Sequence, residues 1–154
     1  VRRLIGASAA AAALSAVSVM GFAGLGTRWP AGSVTMHLQL GASGTLTDGS
    51  RSFGEAAESA LSDWNATITE LQFRVVRDSN APRGDGDGVN GVFFGSDVYG
   101  MAFEDNVLAV TTNWSRRGSR TESDVIFNRG RAWDSYAGPV RRSPVDFRRV
   151  ALHE

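Results

Sequence analysis

The chain contains no cysteine and no lysine. The first absence excludes disulfides and thiolate metal sites. The second leaves every positive side chain as arginine, which fits the codon usage of a GC-rich genome because no fold demands it. Neither sign of charge is in surplus: sixteen arginines meet sixteen acidic side chains, for a formal net charge of zero over 154 residues. Nucleic-acid binders carry a basic excess gathered on one face, so no nucleic-acid partner is expected. A Gly-x-Ser-x-Gly elbow and a phosphate loop are also missing, and the enzyme classes they mark have no support.

What is present begins with an export pattern. Arg2 and Arg3 precede an uncharged, alanine-dominated stretch from Leu4 to Thr27, with small residues at Gly21 and Ala23 where a signal peptidase would read them. The reading is a signal peptide over residues 1–26 and a secreted or cell-envelope protein of bacterial type. A retained membrane anchor is the alternative, since the stretch is nearly long enough to span a bilayer. Unless that segment is retained, no stable membrane association is expected.

Residues 27–154 read as one domain. Ser33 to Leu40 alternates strictly, with Val34, Met36, Leu38 and Leu40 on one side and Ser33, Thr35, His37 and Gln39 on the other, which is a half-buried strand. Ser52 opens a helix, and Glu55 completes a capping box. Its apolar positions Phe53, Ala57, Ala60, Leu61, Trp64, Ile68 and Leu71 share one face. A strand over Gln72–Arg77 follows, then a loop from Asp78 to Asn90, then a short buried strand at Val92–Phe94. Val107–Thr112 and Glu122–Asn128 supply two further strands. A last helix starts at Ser143-Pro144 or Asp146, with Phe147, Val150 and Ala151 facing inward. A strand–helix–strand opening implies a right-handed crossover and a parallel pair, and the later short connections leave room for an antiparallel edge strand.

The last helix ends in His153-Glu154. Alone, a histidine and a glutamate on an exposed helix end carry almost no information. Preceded by the apolar turn Val150-Ala151-Leu152 and the cap Asp146, they match the first half of a zinc-protease motif. In that motif two histidines one turn apart hold a single Zn²⁺, and the glutamate beside the first reaches the metal-bound water.

At this point the chain resembles the catalytic domain of matrixin-like zinc metalloproteases, within the metzincins. The likeness runs from Arg28-Trp29-Pro30 through the strand Val34–Leu40 and the helix ending Ser62-Asp63-Trp64-Asn65. It continues through Asn90-Gly91-Val92-Phe93-Phe94, Leu108-Ala109-Val110-Thr111, Asp124-Val125-Ile126-Phe127-Asn128 and Trp133 to Asp146–Glu154. The resemblance implies an α/β fold, α+β in the zincin sense. It would have a twisted mixed sheet of about five strands, an amphipathic helix and an active-site helix, with the C-terminal subdomain missing. It implies an exported zinc endopeptidase in which His153 is a metal ligand and Glu154 the general base, with catalytic Zn²⁺ as cofactor and a protein or peptide as substrate. It further implies that the substrate adds to the edge strand Val107–Thr111, with Leu108 and Ala109 as its contacts. A monomer is expected. In the family the motif continues as H-E-x-x-H-x-x-G-x-x-H, so the residues as given supply one of three zinc ligands and are expected to be inactive by themselves.

Two departures from the family pattern stand out. Where vertebrate matrixins hold a structural zinc, the matching positions are Thr111, Ile126 and Asn128, so no structural zinc is expected. Latency through a propeptide cysteine is excluded, because there is none. The run Asp85-Gly86-Asp87-Gly88-Val89-Asn90 suggests calcium at first sight, but Val89 and Asn90 break the EF-hand pattern. A plain flexible loop is the main reading there, with Ca²⁺ as the alternative cofactor. His37, Glu122 and Asp124 read as solvated, with calcium or substrate contact as the alternative for Glu122 and Asp124, and Trp64, Trp133 and Tyr136 read as packing aromatics. The competing functional class is a secreted, non-catalytic binding or structural module on the same scaffold.

Overall fold

The computed structural model describes residues 26–154, so the expected export signal lies, but for Gly26, outside the described residues. The fold is α/β, mostly strand, with a five-stranded mixed sheet and two helices.

Alternation in β1 (Gly32–Gln39) buries Val34, Met36 and Leu38 on one face of that sheet. Full burial of such side chains stabilises by roughly 1.5–3 kcal/mol each. Helix α1 (Phe53–Thr67) lies over this face through Ala56, Ala57 and Ala60. Ser52 caps it by accepting from the Glu55 amide at 3.1 Å, while the Glu55 carboxylate turns back to the amide of Arg51. The helix stops at Thr67, one turn short of the expected reach to Leu71. The β-branched run Thr67-Ile68-Thr69 propagates a helix poorly. Asn65 also bonds both backbone groups of Phe73, and Gln72 donates to the Asn65 and Ile68 carbonyls, so the last turn's acceptors are satisfied without more helix.

Strand β2 (Leu71–Val76) returns parallel to β1, as the crossover rule requires. β3 (Asn90–Gly95) pairs parallel with the other side of β1 and occupies the centre of the sheet. A two-residue ribbon, β4 (Asp97–Val98) with β5 (Met101–Ala102), then turns over the face opposite the helix. β6 (Ala109–Arg116) and β7 (Ser119–Asn128) form an antiparallel hairpin, and β7 pairs parallel with β3. The sheet order is β2-β1-β3-β7-β6, which leaves β6 as the antiparallel edge. β8 (Trp133–Asp134) and β9 (Val145–Asp146) make a minimal parallel pair leading into α2 (Phe147–His153).

The second face of the sheet is covered as well, which corrects three expectations of solvation. The segment after β2 crosses the polar side of β1. There Ser79 meets His37 Nδ1 at 2.8 Å, Gln39 donates to the Ala81 carbonyl, and Arg83 bonds Gln39. His37 is therefore half-buried, and Gln39 fully so. Glu122 and Asp124, each only 2% exposed, lie beneath the Gly84–Gly91 loop. The amides of Gly86 and Gly88 donate to Glu122, while the Gly91 amide and the Tyr99 hydroxyl donate to Asp124.

Candidate functional site

Helix α2 has only seven residues, too few to persist by propensity, so its place is set by packing and capping. Asp146 supplies the cap, accepting from the Arg149 amide at 3.4 Å and pairing with Arg149 Nε at 3.1 Å. Phe147 is fully buried, its ring centroid 4.4 Å from that of Phe127 and 4.9 Å from that of Phe53, with Phe94 and Trp133 completing the cluster. Val150 and Ala151 pack against the same core. At the far end Trp64 Nε1 donates to the Leu152 carbonyl at 3.1 Å, and Arg148 bonds Ser59 and Asp63. Of the three aromatics expected to pack, Trp133 and Tyr136 do so. Trp64 is 37% exposed and serves as a strut between the helices.

These anchors bring the end of α2 beside the edge strand. Thr111 Oγ1 donates to Glu154 Oε2 at 2.6 Å. His153, one residue earlier, is exposed. The strand itself starts at Ala109, two residues later than expected, but the ladder reaches further: the Asn128 amide donates to the Leu108 carbonyl at 2.8 Å. Asn128 Nδ2 also donates to the Val107 carbonyl. In an antiparallel pair the bonded positions alternate, so with Leu108 bonded to β7 the N–H and C=O of Ala109 and Thr111 point to the open edge.

Leu108, Ala109, His153 and Glu154 thus line a single cleft of about 580 Å³. Val107, Val145 and Val150 add apolar lining, and Arg141, Arg142, Asp146 and Arg149 add charged groups. An unpaired strand edge beside a groove can hold an extended peptide by main-chain bonds.

Metal binding is a separate matter. A catalytic zinc takes three protein ligands, and among the described residues no three histidine, cysteine, aspartate or glutamate side chains converge. His153 is a single donor, so the described residues do not by themselves fit a zinc ion, and no chemical step is assigned through one. The positions compared with a structural zinc site are otherwise engaged: Thr111 with Glu154, Ile126 in the core, and Asn128 with Val107 and Gly130. In the Asp85–Asn90 run, Asp87 accepts from the amides of Gly84 and Val89, and Glu122 takes two more, so the loop's own backbone occupies these carboxylates.

The buried Glu122–Asp124 pair is the feature that reading the sequence missed. Its signal was present, because Glu122, Asp124 and Ile126 alternate onto one face and Gly86, Gly88 and Gly91 supply amides without side chains in the way. Burial pushes the Asp124 carboxyl above its ordinary range despite its two donors, with the nearby Glu122 and Asp87 charges adding to the rise. The Tyr99 hydroxyl is likewise raised by burial and by its bond to Asp124.

No protein-family model matches the chain, and no curated protein matches it. Among the described residues no helix is long and apolar enough to cross a membrane.

Proposed function

We propose that this chain is part of the catalytic domain of an exported, zinc-dependent metalloendopeptidase on a zincin-like scaffold. His153 is one zinc ligand and Glu154 the general base. Peptide substrate lies along β6, with Leu108 and Ala109 as contacts. One observation carries the reading: residues singled out separately along the sequence, two on a strand and two on a helix end, line one cleft at an open sheet edge.

The described residues supply the groups around the cleft. Glu154, fixed by its bond to Thr111, holds a carboxylate over the cleft where it can accept a proton from water. The outward N–H and C=O of Ala109 and Thr111 orient the peptide backbone, and Phe147 and Asp146 hold the helix that carries the base.

A second reading, a secreted non-catalytic binding module, is favoured because no three potential metal ligands converge among the described residues. The two separate in the full gene product. There the protease reading requires a histidine four residues after His153, and Glu154→Ala should abolish peptide cleavage while stoichiometric zinc stays bound. Cleavage at an undiminished rate would remove Glu154 from the reaction, and a different residue at the histidine position would sink the protease reading.

A further inference from the structure

The chain is electrically neutral as a whole, but its charges are sorted. Asp85, Asp87, Glu122 and Asp124 gather at the loop that covers one face of the sheet. Arginines gather at the Leu108 end of the edge strand. There the peptide cleft adjoins a second cavity of about 360 Å³, and Leu108, Arg142 and Val145 line both. The second cavity is also lined by Arg131, and no carboxylate lines it.

Arg142 lines both cavities and Arg131 the second. Neither Arg131 nor Arg142 forms an ion pair among the described residues. Arg131 Nε is buried without an acceptor. Of the neighbouring arginines, Arg149 is paired with Asp146, although its Nη1 is also without an acceptor, and Arg141 stacks over the Tyr136 ring at 4.5 Å. The two carboxylates in the cleft are already engaged, Asp146 by Arg149 and Glu154 by Thr111. Guanidinium groups without an acidic partner beside a peptide groove can form charge-assisted bonds to an arriving carboxylate.

We propose that the cleft selects acidic peptides, with Arg142 and Arg131 receiving an aspartate or glutamate side chain at the Leu108 end of β6. This rests on the peptide-binding reading of the same cleft. It sharpens that reading by naming the substrate class. Thr111, beside Glu154, and Leu108 are three residues apart, about 10 Å along a strand. The acidic side chain therefore sits about three residues from the peptide bond nearest Glu154.

Binding tests this without requiring turnover. The isotopically labelled chain is titrated with three short synthetic peptides of equal length that carry Glu, Gln or Lys at one central position. Amide shifts of Ala109 and Thr111 report occupancy of the edge. The Glu peptide should bind about fivefold tighter than the Gln peptide, with the advantage shrinking as salt rises. In R142E, an exposed substitution that leaves the core untouched, the order should reverse in favour of Lys. Equal binding of all three peptides at the edge would overturn the acidic preference while leaving edge addition standing. An unchanged Glu preference in R142E, or a single-stranded oligonucleotide that displaces the Glu peptide, would also overturn it. Absence of any peptide-induced shift at Ala109 and Thr111 would remove both the preference and the peptide-binding reading beneath it.

Discussion

Replacing Phe147 by alanine perturbs the site through its support without touching the cleft. The ring is fully buried and sits within 6 Å, centroid to centroid, of Phe53, Phe94, Phe127 and Trp133. An aromatic side chain buries about 150–250 Å², which at about 25 cal/mol per Å² amounts to roughly 4–6 kcal/mol against an extended chain. Compactness of the real unfolded state trims that figure, and a loss of about 3–5 kcal/mol is expected, as for other buried Phe→Ala changes. A domain of this size is stable by about 5–15 kcal/mol in all, so the variant sits near the edge of folding. With a urea m value of about 2 kcal/mol/M, the midpoint should fall by about 2 M. Because the partners come from α1, β3, β7 and β8, one cooperative transition should move as a whole. Phe147→Leu should recover most of the loss. Urea unfolding followed by tryptophan fluorescence and circular dichroism reads both variants. A midpoint shift below about 0.5 M at unchanged m would refute the assignment of Phe147 as the anchor that docks α2.

Two further outcomes follow from the same geometry. Asp146→Ala removes the cap of α2 and the partner of Arg149, and should cost about 1 kcal/mol. Hydrogen exchange should accelerate at Val150–His153 first, and unaltered protection there would show that the cap is idle. The Asp124 carboxyl is raised by burial, so the folded state holds its proton to higher pH than the unfolded chain does. Its contribution is therefore fully present below the ordinary carboxylate range and is lost as pH rises through the raised folded value. Asp124→Asn should flatten that part of the stability–pH profile, and a profile with the wild-type slope would assign the pH dependence to other groups.

Much of the fold was legible because its signals are local. The alternation in β1, the Ser52 cap, the short apolar β3 and the Asp146 cap each depend on a few adjacent residues, and each appears within a residue or two of its expected place. The failures share a cause. The polar types of His37, Glu122 and Asp124 suit an open, solvated sheet face, whereas a loop from elsewhere in the chain covers that face. The overlong α1 has a related origin: Ile68 and Leu71 fit the helical stripe, whereas the bonds between Asn65 and Phe73 and from Gln72 of β2 to the Ile68 carbonyl close the helix end. The small ribbons β4–β5 and β8–β9 have too few residues for any periodicity to reveal them. Likewise, no spacing in the sequence shows that Arg131 and Arg142 meet across one cavity.

The cleft itself is assembled by residues that do not line it. Leu108 and Ala109 are placed by register: pairing of Ala109 with Phe127 and the bond from Asn128 to Leu108 fix which backbone groups of β6 face outward. Glu154 is placed by α2, whose start is held by Phe147 against that same Phe127 and whose end is tied by Trp64 to Leu152. Phe127 therefore touches both halves, through its strand pairing on one side and its ring on the other. A slip of one residue in β6 would turn Ala109 away from the core and carry Thr111 out of reach of Glu154. Such a slip would also leave Val110, now packed against the opposite face, pointing under the helix. Burial on both faces of the sheet thus opposes the one rearrangement that would separate the carboxylate from the peptide edge. The juxtaposition of Glu154 with that edge is accordingly a property of the core, and core substitutions such as Phe147→Ala should disturb it before substitutions in the cleft do.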